Sequence, residues 1–363
     1  MKYRKLFAPD LLRVLSMLFV VFYHVNMELR GLGRDPALAP IDAGVNIEFG
    51  QLGTVLFLIL AGFTSVLSYE RTEGSGLRRA LGYYKKRALA IFPAFYVAYF
   101  LAFILLRLPG ARPDWHIVYT IFGIDGYLSA HGVQTLYLVG EWFTGCILML
   151  YLVFPLLYLL VKKLPAAAAA FALLLKIGAV LLIKRTGLTD CGILFYAPDF
   201  IFGVIAAVHL KKPRFIVGLI ALAAAAVLVL VKIPVNYRWL ISPLGIAVFL
   251  AVMMLAGKAE EILTGKPTEE AAVIPVPARG AAVVRGLQKV FSAVARYSYA
   301  VFLVHHVLIF RVFGGLDPNM GKKAYLLYLL LYLFFTAGAA VIVQGAAEYI
   351  RKLFQSKSQR RTS

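Results

Sequence analysis

Apolar residues in this chain come in blocks close to twenty residues long, separated by short polar or charged bursts. Blocks of that length predict helices that cross a bilayer, where only a helix or a closed barrel satisfies its own backbone. Ten are predicted, at about 11–29, 48–69, 88–108, 139–161, 166–183, 193–210, 215–231, 240–256, 290–313 and 324–350. The fifth is the weakest, being short and alanine-rich from Ala166 to Ala170. Two connections are long. Residues 109–138 mix aromatic and polar positions, among them Asp114, Trp115, His116, Asp125 and His131. In 257–289, Pro275, Pro277 and Gly280 predict irregular backbone. The pattern predicts an all-α integral membrane protein, with a membrane domain over 1–350 and a basic tail over 351–363.

Composition agrees. Of 363 residues, 61% are hydrophobic and 15% charged, and the mean hydropathy is +0.80, well outside the range of soluble domains. The net charge of +20 would suit nucleic acid. The cations instead sit in bursts between the apolar blocks, which argues against nucleic acid and for a multi-pass protein of the plasma (inner) membrane. With the N-terminus inside, about 24 cations fall in inner segments and about 10 or 11 in outer ones, as the positive-inside rule requires. Ten spans then place both termini in the cytoplasm. The start Met1-Lys2-Tyr3-Arg4-Lys5 imitates a signal peptide, but no small-residue cleavage site follows it, so the first block is expected to remain as a span. Cys146 and Cys191 read as small buried hydrophobes.

The first block carries two ionisable residues, Arg13 and His24. Eleven positions at about 100° each return to nearly the same helix face, roughly 16 Å further along the axis. Ionisable groups at this depth usually face a site. Taken singly, Arg13 also suits a residue that snorkels to lipid phosphate, and His24 one that hydrogen-bonds to a neighbouring helix. Asp10, after Pro9, is placed to cap the helix.

Asp10-x-x-Arg13 followed by ten residues and His24 resembles the opening motif of the acyltransferase-3 family of integral-membrane O-acyltransferases. Further segments match in order. Gly53 to Phe63 resembles the family's second span, and Tyr83-Tyr84-Lys85-Lys86-Arg87 with Phe92-Pro93 its basic entry to the third. Trp142 to Tyr151 with Phe154-Pro155 resembles its Trp…Phe-Tyr-x-x-Phe-Pro. Phe200-Ile201-Phe202-Gly203 resembles its Phe-x-x-Gly, and Tyr297 to His305 its Ser-Tyr-x-x-Tyr-Leu-x-His. The likeness covers nearly the whole chain.

This resemblance implies transfer of an acyl group, acetyl first among them, from acyl-CoA to a hydroxyl of a cell-surface carbohydrate such as exopolysaccharide, O-antigen or peptidoglycan. It implies acetyl-CoA or another acyl-CoA as donor substrate, with no resident cofactor and no metal. Proteins of envelope-polysaccharide synthesis are the implied further partners. Histidine suits the base because its ordinary pKa is near operating pH, which assigns His24. Arg13, with Lys85, Lys86 and Arg87, would hold the donor's phosphates. Asp10, Glu141, Trp142, Ser298, Tyr299 and His305 are the supporting candidates. Val55, Ala61, Ala90 and Ile147 depart from the family pattern. Ile147 stands where many members carry Glu, and Glu141 replaces that acid only if the fold brings it near His24. A multi-span transporter or polysaccharide exporter, and a non-catalytic family member, are the alternative readings.

Overall fold

The computed structural model describes residues 7–33, 46–106, 114–210, 214–264, 278–314, 317 and 320–359. These residues form helices α1 (Phe7–Gly31), α2 (Phe49–Glu70), α3 (Gly76–Leu106), α4 (Ile117–Ile121), α5 (Asp125–Ala130), α6 (Glu141–Lys163), α7 (Pro165–Thr186), α8 (Ile193–His209), α9 (Phe215–Leu230), α10 (Tyr237–Thr264), α11 (Ala278–Ala295), α12 (Ser298–Phe313) and α13 (Lys322–Gln359). No strand occurs among them. The protein is an all-α integral membrane protein.

Seven helices, α1, α2, α3, α6, α7, α10 and α13, are long and apolar enough to cross a membrane, and α11 with α12 forms an eighth if that pair, bent by 50°, is one span. The two remaining blocks form α8 and α9, of 17 and 16 residues. At 1.5 Å per residue these fall short of a hydrocarbon layer about 30 Å thick. α7, whose block is the weakest in sequence, is a continuous helix of 22 residues. Neighbouring segments run in alternating directions. The start of α1 meets the end of α10 through the Phe7 amide and Glu260, and the ends of α6 and α8 meet through Val161 and His209. At the opposite face Asn46, just before α2, bonds the end of α9. The face at which α1 begins is called proximal below, and the other distal.

Several expectations change. The 257–289 connection is mostly helix, because α10 runs on to Thr264 and α11 starts at Ala278 and includes Gly280. The basic tail is not a separate segment up to Gln359, since α13 continues through it. Residues 114–130 carry α4 and α5. Lys2, Arg4, Lys5, Lys211, Lys212, Pro275, Pro277 and the last residues 360–363 lie outside the described residues.

Packing inside the bundle depends on small residues and close backbone approach, because lipid supplies no hydrophobic drive between helices. α2 and α8 pack along their length. Gly62 faces the carbonyl of Phe200, and Gly203 the carbonyl of Ile59; a Cβ at either would overlap that oxygen. Prolines 93, 155, 198 and 243 lie inside helices. Leu152, Leu156, Ile216, Ile342 and Phe334 are exposed, as lipid-facing residues are, while Ser16, Asn26, Lys176 and Asp199 are buried.

Candidate active site

Three histidines and one carboxylate from three helices meet near the distal end of the bundle. His24 Nε2 of α1 is 3.6 Å from Oε2 of Glu141, the first residue of α6. On α12, His305 Nε2 and His306 Nδ1 lie 3.5 and 3.4 Å from Glu141 Oε1. Backbone carbonyls only accept hydrogen bonds, and this fixes the tautomers. His24 Nδ1 is 2.9 Å from the Val20 carbonyl and His305 Nδ1 2.7 Å from that of Phe302, so both Nδ1 atoms carry hydrogen. His305 Nε2 then accepts from His24 Nδ1 at 3.1 Å. His24 Nε2 is left with a free lone pair beside a carboxylate. Such a lone pair can take a proton, and a carboxylate at this distance can stabilise the imidazolium that results.

Glu141 reaches this position through unusual backbone. Gly140 and Glu141 have φ of +84° and +44°, and Glu141 is the sole non-glycine residue with positive φ among the described residues. Such a conformation is costly for a side-chain-bearing residue and collects at functional sites. The α4–α5 segment holds it. Gly126 sits so close to the Glu141 carbonyl that a Cβ would overlap it, and Tyr127 packs on Gly145. Asp125 anchors α5, accepting from Thr120 Oγ1 and from the Gly126 amide, each at 3.0 Å. Burial raises its pKa above the ordinary carboxylate value.

At the proximal face a cavity of about 870 Å³ opens between α1, α2, α3 and the α11–α13 end. Arg13, Arg71, Lys86, Arg87, Arg296 and Arg351 line it. Arg13 lines this cavity with its guanidinium 2.7 Å from Asp10 Oδ1, while Asp10 Oδ2 accepts from Ser292 Oγ at 2.6 Å. Asp10 lies in the first turn of a helix already formed at Phe7, so it braces Arg13 instead of capping. Arg87 donates to the Thr64 carbonyl at 2.8 Å and lies against the rings of Tyr83 and Tyr151, and its buried Nε has no protein partner. Arg296 pairs with Glu348.

A second chamber of about 250 Å³ shares Arg13, Thr64, Arg87, Ser298 and Tyr299 with the first and runs deeper, to Phe57, Phe143 and Phe302. The Tyr299 hydroxyl is buried without a hydrogen-bond partner. A cationic entrance and an apolar chamber thus lead toward the histidine cluster. His305 follows Phe302 by one turn, and their rings are 5.8 Å apart.

The fold therefore brings His24, Glu141 and His305 together, and gathers Arg13, Asp10, Lys86, Arg87, Ser298 and Tyr299 around the cavities. Lys85 does not line either cavity. Trp142 stacks on Tyr196 at 5.0 Å, beside the cluster rather than in it. Ser298 bonds the Ala295 carbonyl at the α11–α12 bend. Ile147 lines the chamber, and Glu141 supplies the carboxylate that its position lacks. His306, beside Glu141, and Arg71, in the wall of the larger cavity, are not among the residues that the resemblance singles out. His306, next to His305 on a helix, was detectable only as a second imidazole. Asp199 is buried near Lys176. His116 pairs with Asp114, whose pKa this contact lowers, and His131 is exposed. Donor atoms of His24, Glu141 and His306 lie within 4.8 Å of one another, close enough to hold a metal ion.

This membrane-embedded helical bundle holds a cationic cavity at its proximal face, an apolar chamber beside it and a buried histidine–carboxylate cluster. The profile of a family described as "Acyltransferase domain" matches residues 6–345, nearly the whole chain, and the protein belongs to this family, acyltransferase-3. It is a multi-pass membrane acyltransferase. Neither a curated protein nor a solved structure shows significant similarity to the chain.

Proposed function

We propose that the protein is an O-acyltransferase of the plasma membrane that moves an acyl group, acetyl first, from acyl-CoA to a hydroxyl of a cell-surface carbohydrate. The observation that carries this reading is that the cationic cavity and the apolar chamber share Arg13, Thr64, Arg87, Ser298 and Tyr299 in their walls. Phosphates of the donor would lie against Arg13, Lys86 and Arg87, with guanidinium forks matched to phosphate oxygens. The Arg87 Nε without a protein partner is a donor still to be used. From there the pantetheine arm extends through the apolar chamber and carries the thioester toward His24.

In the transfer step His24 Nε2 takes the proton of the acceptor hydroxyl as its oxygen bonds to the thioester carbonyl carbon. The carbonyl oxygen becomes an oxyanion, for which the hydroxyl of Tyr299 in the chamber wall is the candidate donor. The C–S bond then breaks, and the imidazolium returns the proton to sulfur, giving the ester and free CoA thiol. Glu141 stabilises the imidazolium, and His305 fixes the His24 tautomer. The acceptor reaches this centre from the distal side, with the proximal face toward the cytoplasm and its acyl-CoA.

The test uses full-length protein in detergent or nanodiscs, radiolabelled acetyl-CoA and a panel of envelope glycans. Label on a glycan that disappears in His24→Ala supports the reading. Transfer that survives His24→Ala unchanged overturns the base assignment. No binding of CoA at all would favour a transporter or a non-catalytic relative.

A further inference from the structure

The deeper chamber ends on three phenylalanine rings. Phe57 of α2, Phe143 of α6 and Phe302 of α12 all line it. Phe57 and Phe143 have ring centroids 6.0 Å apart, and Phe143 and Phe302 meet edge to face at 5.0 Å. Beyond these rings stands the histidine cluster. Phe143 follows Glu141 by two residues, and Phe302 contacts His305. The rest of this end of the chamber is apolar, formed by Leu60, Ile91 and Ile147, while its two cations, Arg13 and Arg87, stand at the other end. The three rings, called the septum below, line the chamber, and Phe143 and Phe302 neighbour members of the histidine cluster.

We propose that the septum is the acyl-group subsite of the donor and sets the length of acyl chain that the enzyme accepts. This rests on the acyl-CoA reading given above. A donor anchored by its phosphates at Arg13 and Arg87 enters with its acyl end leading. The first thing that end meets is the phenylalanine layer. Reaction requires the carbonyl carbon within about 3–3.5 Å of the attacking oxygen. An acetyl group places a single methyl ahead of that carbon. A longer chain fills the space ahead of it with methylenes, meets the rings first and holds the carbonyl back from His24. Ile147 contributes to the same selection: its branched side chain narrows the chamber where the family often has a flexible, charged Glu.

The acyl end alone distinguishes the donors, so the test needs no acceptor. Affinities of acetyl-CoA, butyryl-CoA and hexanoyl-CoA are measured on the full chain in nanodiscs, each divided by the affinity of free CoA for the same variant. That ratio cancels any loss of folded protein. In the wild type the ratio is expected to fall by about tenfold or more from acetyl to hexanoyl. Phe302→Ala and Phe57→Ala should flatten or reverse this preference, and the milder Phe302→Leu should fall between. A chain-length profile that stays the same in all three variants overturns the septum assignment and leaves the donor reading standing. Failure of the wild type to bind any CoA species overturns the donor reading itself, and the septum assignment with it.

Discussion

His24 Nε2 and Glu141 Oε2 stand 3.6 Å apart although 117 positions of sequence separate them. Both side chains are mostly buried, and the Nδ1 hydrogen of His24 is shared between the Val20 carbonyl and His305 Nε2. The pair is a base with its lone pair free and an anion in reach. His24→Ala should lower kcat/KM by about 10²–10⁴-fold, the usual contribution of a positioned base. Glu141→Gln keeps the shape and loses the charge; it should lower kcat by about 10- to 100-fold, part of that contribution, with little change in donor KM. Glu141→Asp should recover part of the loss. Steady-state kinetics with acetyl-CoA check this, and an unchanged kcat in Glu141→Gln would leave Glu141 a structural residue only.

Arg13 and Arg87 are expected to act on donor binding rather than on chemistry. A hydrogen bond to a charged group is worth about 1.5–3 kcal/mol, or roughly 10- to 100-fold in affinity. Arg13→Ala should therefore raise the acetyl-CoA KM by about that factor, with residual turnover at saturating donor. Arg87→Lys should not rescue Arg87→Ala fully, because an ammonium cannot present the same fork while lying against Tyr83 and Tyr151. Equal effects on acetyl-CoA and on dephosphorylated pantetheine thioesters would contradict phosphate recognition.

Much of this was legible in the sequence, though unevenly. The apolar blocks located each of the seven described helices that are long and apolar enough to cross a membrane, because hydropathy reports directly on lipid exposure. Arg13 and His24 stood out as costly residues on one face of one helix. What could not be read was which distant residues complete the site. Glu141 sits at a positive-φ helix start held by Gly126, a tertiary constraint with no local pattern. His306 looked like a spare imidazole until α12 was rotated against α1. Connections were read least well: α10, α11 and α13 carry polar turns beyond their apolar blocks, and hydropathy alone stops at the block.

His24, Glu141 and His306 also form a donor set of two histidines and one carboxylate. The acid–base role assigned to His24 requires its Nε2 to be free in the resting enzyme. Protein purified and assayed in EDTA should therefore keep full transfer activity, and elemental analysis should find less than one equivalent of zinc. Loss of activity on chelation, restored by added zinc, would replace the base mechanism with a metal-centred one.

Gly62 and Gly203 set the distance between α2 and α8, and α2 carries Phe57 and Thr64 of the inner chamber. Gly203→Ala forces a methyl against the Ile59 carbonyl, with backbone on both sides and no flexible side chain to yield. Overpacking of this kind costs about 1–3 kcal/mol, occasionally more. The variant should melt at a lower temperature in detergent, and Gly178→Ala, where an added Cβ meets nothing, should not. Equal melting temperatures for both would remove the close crossing as a source of stability.

Asp125 lies outside the membrane-spanning helices and gives a pH dependence with a definite sign. Its carboxylate is buried under α4 and α5, and burial raises its pKa in the folded protein. The folded state then holds a proton more tightly than the unfolded state does. Stability from this group is complete below the ordinary carboxylate range, near pH 3.9 for Asp, and is lost as pH rises through the raised folded value. Asn at this position cannot ionise, and its amide still serves Thr120, whose hydroxyl can donate or accept. Asp125→Asn should therefore melt above the wild type near neutral pH, and the gap should close as the pH falls toward the carboxylate range. Thermal unfolding across that range checks it; a gap that widens toward acid would mean that the ionised carboxylate is the form that holds α5 against Glu141.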